Sequence, residues 1–104
     1  MTFEELRNAD IERQETVGPF NSVAKLQSLL YWTTAIAGEC GELCNLVKKQ
    51  VRDEKDLSAD IGKEIADVVI YADLLATRMG FRLEDLVRLK FNEVSDRRGS
   101  KIKL

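Results

Sequence analysis

The stretch that decides the fold is residues 61–76, IGKEIADVVIYADLLA, which becomes apolar on almost every side when it is wound as a helix. Apolar residues that recur at spacings of three and four indicate an α-helix, and a helix that is apolar nearly all round is surrounded by protein. The run belongs to a longer predicted helix, Ala59–Met79, with Ser58 as its N-cap and Gly80 in the left-handed position after its end. We therefore expect this helix at the centre of an all-α fold.

Three further helices are predicted around this central one. Residues 36–47, IAGECGELCNLV, again show spacings of three and four, and a capping box formed by Thr2 and Glu5 opens the first helix. Gly18-Pro19 interrupts the chain, and no convincing alternating strand is found. In chain order the predicted helices are Phe3–Gln14, Ser22–Arg52, Ala59–Met79 and Leu83–Arg97. The pattern predicts a four-helix-bundle-like single domain over residues 1–104.

Composition limits the classes of function. The chain has 104 residues, a net charge of −2 and a pI of about 5.2, which argues against binding a nucleic-acid polymer. No apolar run reaches the roughly 18 residues of a membrane span, and the acidic N-terminus lacks a signal-peptide pattern. A cytoplasmic location is therefore expected. The last eight residues, 97–104, hold four cations and no acid, which suits one small anionic ligand or, equally, a frayed solvated terminus.

The two cysteines do not form a metal site or a disulfide by this reasoning. Cys40 and Cys44 lie one helical turn apart, where disulfide geometry is poor. The chain has no histidine, so a tetrahedral zinc site cannot be completed. Both cysteines are interpreted as small buried apolar residues.

Two acidic pairs lie inside apolar helical segments. Glu39 and Glu42 are three residues apart on the second helix, and Glu64 and Asp67 are three apart on the third. Residues at this spacing share a helix face, so antiparallel packing of the two helices would bring four carboxylates together. The same spacing occurs in more polar surroundings at Glu12/Glu15, Asp53/Asp56 and Glu93/Asp96. Only the first two pairs would be buried, and a buried carboxylate needs a cation.

The cation could be a side chain or a metal ion. Three basic residues stand near the pairs in sequence: Lys48, Lys63 and Arg78. Several carboxylates at one point call for more positive charge than one lysine supplies, so a divalent ion fits better. A di-iron bundle requires histidine, and no EF-hand loop is present. Oxygen-only ligation favours Mg²⁺, with Mn²⁺ able to substitute, and Mg²⁺ completes its shell with water and phosphate oxygens.

Two glycines bracket the first acidic pair. Gly38 and Gly41 each cost up to about 1 kcal/mol in a helix relative to alanine. Their absent side chains would let a phosphate or a neighbouring helix approach closely, and simple tight helix packing is the structural alternative.

With these motifs in place, the chain resembles the MazG-like all-α nucleoside triphosphate pyrophosphohydrolases. The resemblance rests on residues 38–43, GECGEL, and 63–71, KEIADVVIY, separated by a charged spacer, and it covers about Leu26 to Arg98. One departure is Gly38, where many relatives carry a further glutamate. The resemblance implies hydrolysis of a nucleoside triphosphate, foremost a deoxynucleoside triphosphate, to the monophosphate and pyrophosphate.

The resemblance also implies roles for individual residues. Glu39, Glu42, Glu64 and Asp67 would bind Mg²⁺ and carry catalysis, with Glu39 a candidate general base. Six residues are candidates to bind phosphates: Lys63, Lys90, Asn92, Arg97, Arg98 and Lys101. Trp32 or Tyr71 could stack on the base, although aromatic core packing is the commoner role.

The expected assembly is a homodimer or homotetramer, because the third helix is apolar on too many faces for one protomer to cover. Two alternatives stay open at this point. One is a non-catalytic helical interaction module whose acidic pairs form structural salt bridges. The other is a narrow enzyme for one nucleotide, such as a dCTP or dUTP pyrophosphatase.

Overall fold

The protein is all-α, as predicted. A computed structural model describes residues 1–16 and 29–104, and in this part of the chain no strand is present. Its helices are α1 Phe3–Thr16, α2 Leu29–Asp53, α3 Ser58–Arg78 and α4 Leu83–Arg97. The predicted break at Gly18-Pro19 and the predicted start of the second helix at Ser22 lie outside the described residues.

The N-terminus of α1 is closed by the predicted capping box. The Thr2 backbone N–H donates to Glu5 Oε2 at 2.6 Å, and the Glu5 N–H donates to Thr2 Oγ1 at 3.1 Å. The two side chains thus satisfy backbone donors that the first turn leaves unpaired. The helix continues to Thr16, two residues beyond the predicted end.

The C-terminus of α3 is set by Gly80, as predicted. Gly80 has a φ of +77°, the left-handed conformation that glycine adopts without strain. The N–H of Phe81 donates to the Ala76 carbonyl at 2.8 Å, and that of Gly80 to the Thr77 carbonyl at 3.1 Å. These are the two hydrogen bonds of a Schellman motif, so the chain turns sharply into α4.

The prediction that Ser58 caps α3 is wrong. Ser58 is the first helical residue, and the N-cap is Leu57, which provides no side-chain cap. The exposed N–H groups are satisfied from outside the helix: Gln50 Oε1 accepts from Leu57 at 2.9 Å, and Asp56 Oδ1 accepts from Ser58 at 3.0 Å. These contacts hold the short connection between α2 and α3, which makes the two helices adjacent antiparallel partners.

The α2–α3 hairpin is the most extensive packing in the fold. α1 packs on α3, and α4 contacts α3 less extensively. Within the described residues the fully buried apolar side chains are few: Trp32, Leu74 and Ala76. No helix in this part of the chain is long and apolar enough to cross a membrane.

On the central helix, Ile65 is 51% exposed and Val69 is 38% exposed, in keeping with the expectation that one protomer does not cover this helix. One expectation about burial is wrong. Cys44 was expected to be buried and is exposed, while Cys40 is partly buried. The reason for the exposure is the same in both cases: α1 and the α2–α3 contact cover only part of the hairpin, so its other faces stay open.

Candidate metal centre

Three of the four predicted carboxylates converge. Glu39 comes from α2, and Glu64 and Asp67 come from adjacent turns of α3. One carboxylate oxygen from each of the three lies within 4.8 Å of the others. The spacing of three places Glu64 and Asp67 on one face of α3, and the antiparallel hairpin places Glu39 opposite them.

The electrostatics of the cluster are those of crowded negative charge. The pKa of Glu39 is raised from its ordinary 4.5 to about 7, chiefly by burial and also by a hydrogen-bonding contact with the Glu64 carboxyl group and by the charges of Glu42 and Asp67. Oε2 of Glu39 and Oε2 of Glu64 are both buried and have no hydrogen-bond donor among the residues that the structure describes. Carboxylate oxygens in this state require either a proton or a cation.

Side-chain cations do not meet this requirement in the part of the chain that the structure describes. No lysine or arginine there forms an ion pair with the cluster. Lys63 is exposed, and the Arg78 guanidinium instead donates to Gln14 and lies 5.6 Å from the Trp32 ring. An all-oxygen donor set with unpartnered buried atoms therefore fits a hard divalent ion such as Mg²⁺.

Glu42 stands apart from the trio. Its side chain is exposed, and it is not among the three converging residues, although its charge contributes to the raised pKa of Glu39. A Cβ added at Gly38 or Gly41 would meet no atom of the described residues within 4 Å. Tight packing against the described helices therefore does not explain the glycines.

Aromatic residues adjoin the cluster. Trp32 is only 1% exposed, with Tyr31 edge-on at 5.2 Å and Tyr71 tilted at 6.3 Å between ring centroids. Burial raises the pKa of Tyr71, and the charges of Glu39 and Asp67 act in the same direction. The structure thus places Trp32 in the core of the protomer and Tyr71 between that core and the acidic cluster.

The predicted phosphate-binding residues of the C-terminal region are not brought to the cluster within one protomer. Lys90 pairs with Glu93 at 2.7 Å. Asn92 holds the chain end, since its Oδ1 accepts from the Leu104 N–H at 2.9 Å and its Nδ2 donates to the Leu104 carbonyl at 3.2 Å. The remaining three cations are exposed: Arg97, Arg98 and Lys101. The basic tail is therefore folded along α4.

Sequence reasoning missed a second polar group, on the other side of α3. Asp10 and Gln14 of α1 are buried against α3, where Asp73 is buried as well. The sequence did contain a signal for this buried polar group. Residues 10 and 14 lie four apart, so they share one face of a helix that has few apolar residues to bury. Polar residues on the buried face of a helix imply specific hydrogen-bonding side chains on the helix that they pack against, and the sequence does not indicate which residues these are.

Comparison with known proteins assigns the chain to a family. The family model of the MazG nucleotide pyrophosphohydrolase domain matches residues 27–99. The chain belongs to this family. "Gene 37 protein" of Mycobacterium phage L5 is 30% identical over 78 residues, which cover 70% of this chain and 68% of the phage protein. No solved structure matches the chain significantly.

The MazG match spans both acidic pairs, all of α3 and α4, and all of α2 as described. The converging carboxylates thus lie inside the MazG domain. α1, with its buried polar residues, lies outside the matched residues.

Proposed function

We propose that the protein hydrolyses nucleoside triphosphates, foremost deoxynucleoside triphosphates, to the monophosphate and pyrophosphate with Mg²⁺ as cofactor and Mn²⁺ as a substitute. One observation carries the proposal: Glu39, Glu64 and Asp67 converge with no side-chain cation among the described residues, and the first two have buried oxygens that lack a partner there. In a MazG domain, such a cluster is best explained as a site for a divalent ion and the phosphates it binds.

The proposed chemistry divides between metal and protein. Glu39, Glu42, Glu64 and Asp67 would hold the ion, which supplies positive charge at the phosphate oxygens. A water oxygen bonds to the α-phosphorus. The bond between that phosphorus and the oxygen bridging the α- and β-phosphates breaks, and pyrophosphate leaves with the electron pair of that bond. We propose that a carboxylate of the cluster, with Glu39 as the candidate, accepts the water's proton as general base.

We also propose a homodimer or a dimer of dimers. The protomer exposes 7411 Å², whereas a compact monomer of this mass exposes about 5,900 Å². Its radius of gyration is 16.3 Å, against about 13 Å for a compact domain of this length. The excess surface includes an open apolar groove of about 560 Å³ on α4, lined by Val87, Phe91 and Val94. Association would cover such surface.

Assembly also bears on phosphate binding. The cations of α4 do not act on the acidic cluster within one protomer, so we propose that Lys90, Arg97 and Arg98 meet the substrate in the oligomer, together with Lys63, Asn92 and Lys101. Trp32 is retained as a candidate neighbour of the base. A cytoplasmic location is consistent with the free thiols of Cys40 and Cys44.

A nucleotide panel tests the proposal directly. The purified protein is incubated with the eight common ribo- and deoxyribonucleoside triphosphates, and released pyrophosphate and monophosphate are measured with Mg²⁺, with Mn²⁺ and with excess chelator. We expect equimolar pyrophosphate and monophosphate with either metal and no turnover with chelator. Phosphate release in place of pyrophosphate, or full turnover in chelator, would contradict the proposed reaction.

The alternative of a non-catalytic interaction module makes a different prediction. Structural salt bridges would respond to ionic strength in general, while a metal site is stabilised by the divalent ion itself through mass action. A thermal melt at constant ionic strength, with and without Mg²⁺, separates the two. The absence of described ion pairs at the cluster favours the metal site.

A further inference from the structure

The interface between α1 and α3 is polar at its most buried points. The fully buried residues of α1 are Asp10, 2% exposed, and Gln14, 4% exposed. They lie four residues apart and so face α3 together. Because little apolar surface is buried by these side chains, the docking of α1 depends on how their polar groups are satisfied.

Gln14 is satisfied by a hydrogen bond. Its Oε1 accepts from the Arg78 guanidinium, which also lies 5.6 Å from the centroid of the Trp32 ring. α1 is thereby connected through Arg78 to the only tryptophan in the chain. The environment of Trp32 therefore reports whether α1 is in place.

Asp10 is paired with another acid. The Asp10 carboxyl group lies within hydrogen-bonding reach of Asp73, which is 1% exposed. Oδ2 of Asp10 and Oδ2 of Asp73 are both buried and have no hydrogen-bond donor within residues 1–16 and 29–104. Arg13 Nη2 contacts Asp10 Oδ1 at 3.1 Å, so one cation faces two carboxyl groups on this side. Two ionised carboxylates this deeply buried repel each other, whereas one proton shared between them satisfies both free oxygens.

Other charged groups surround the pair without neutralising it. A cavity of about 10 Å³ beside Asp73 is lined by charged residues of α1 and of the α3–α4 turn and α4: Glu4, Arg7, Arg82 and Glu84. Arg82 donates to Glu84 and lies 3.9 Å from Glu4. The charge of Arg82 is thus already balanced by two acids. Two further cations, Arg7 and Arg13, face this region from α1.

We infer that α1 is a proton-operated clasp, which stays docked on α3 while Asp10 and Asp73 share one proton and loosens when that proton is lost. The clasp is an addition to the MazG domain, because α1 precedes the matched residues 27–99.

The direction of the pH effect follows from the carboxyl pair. Burial first, and then the neighbouring Asp73, raise the pKa of Asp10 from its ordinary 3.8 to about 7, against a lowering effect of Arg13. The docked state therefore holds a proton that the undocked state releases, so docking weakens as the pH rises from about 4 to about 7. Acidification from pH 8.5 to pH 6 should raise the docking equilibrium constant about tenfold.

Hydrogen exchange of the full chain, in chelator and without nucleotide, tests the clasp. After correction for intrinsic exchange rates, the protection factors of α1 amides should be about tenfold higher at pH 6 than at pH 8.5. Acrylamide quenching of Trp32 should increase over the same rise in pH. Neither readout depends on the proposed catalytic activity.

Three variants test whether the pH dependence of α1 protection comes from the Asp10–Asp73 pair or from another titrating group. Asp10→Asn places an amide donor beside Asp73 that needs no proton, so its α1 protection should be the same at both pH values. Glu12→Gln changes an exposed acid on the same helix and should keep the tenfold difference. Glu39→Gln should keep it as well, because the metal site is not the cause. If Asp10→Asn does not fold, as judged by its helical circular dichroism, Asp73→Asn replaces it.

Two results would overturn the clasp. One is equal protection of α1 at both pH values in the native chain. The other is an undiminished tenfold difference in the folded asparagine variant, which would assign the proton to another group.

Discussion

Replacing Glu39 by glutamine should stabilise the metal-free protein at pH 8. The carboxyl group of Glu39 has a pKa of about 7 because it is partly buried, lies against Glu64 and feels the charges of Glu42 and Asp67. At pH 8 it is ionised at a free-energy cost to the folded state. Glutamine keeps the shape and the hydrogen-bonding capacity of the side chain but removes the charge.

The magnitude follows from the difference between the two pKa values. A rise from 4.5 to about 7 corresponds to an upper bound of about 3 kcal/mol on the destabilisation of the ionised form. Glu39 is only half-buried, so solvent screening reduces the expected gain of Glu39→Gln to about 1–2 kcal/mol. For a domain of this size that is an increase in Tm of about 5–10 °C.

The sign depends on pH in a defined way. The folded-state pKa of this acid is raised, so the folded chain binds a proton more tightly than the unfolded chain between pH 4.5 and about 7. The stability contributed by that proton is lost as the pH rises through this window. The difference between native and variant should therefore vanish near pH 4.5 and be largest above pH 7.

Thermal and urea denaturation followed by circular dichroism measure this difference in chelator. Glu54→Gln, at an exposed position, is the matched control and should change stability little at either pH. Addition of Mg²⁺ should reverse the order, because mass action stabilises the native protein by about 2.7 kcal/mol at a hundredfold excess over Kd and the variant by less. A variant that is less stable than the native chain at pH 8 without metal would refute the reasoning, since Glu39 would then have a cationic partner.

Three further outcomes are expected. Asp67→Asn should lower turnover by about 10²–10⁴-fold with unchanged helical content, measured as pyrophosphate release, and retained turnover would remove Asp67 from the metal site. Light scattering at micromolar concentration should give a dimer or tetramer, and only an 11.8 kDa species would exclude assembly. Gly80→Ala should destabilise by about 1 kcal/mol because its φ is +77°. Gly62→Ala inside α3, where a Cβ would meet no described atom within 4 Å, should stabilise by up to about 1 kcal/mol; equal effects of the two substitutions in urea denaturation would contradict this account.

Local signals in the sequence predicted most helix ends, for physical reasons confined to a few residues. The Thr2–Glu5 capping box and the Gly80 terminus are short-range hydrogen-bonded motifs, so the residues that form them are adjacent in the chain. The prediction for Ser58 failed because the helix begins one residue earlier than expected, so that Ser58 is itself helical. Asp56, two residues before Ser58, accepts from the N–H of that first helical residue.

The sequence predicted an acidic cluster, and the structure brings three of its four predicted residues together. Spacing of three and an apolar context selected Glu39, Glu64 and Asp67, because a helix face and a short antiparallel connection bring them together. The same criteria selected Glu42, which the structure leaves exposed and outside the trio. Rotation of α2 about its axis decides which of its two glutamates faces α3, and periodicity does not specify that rotation to within one residue.

The sequence by itself determined the all-α class, the helices and the acidic pairs, because these depend on local periodicity and on contacts between residues close in the chain. Only the tertiary structure decided which polar groups meet across helices. Asp10 and Asp73 are 63 positions apart, and nothing in either local sequence indicates the other. Their burial in one pair, like the Gln14–Arg78 contact beside Trp32, results from the docking of α1 on α3. Long-range polar contacts of this kind depend on the relative placement of whole helices, which local sequence patterns do not encode.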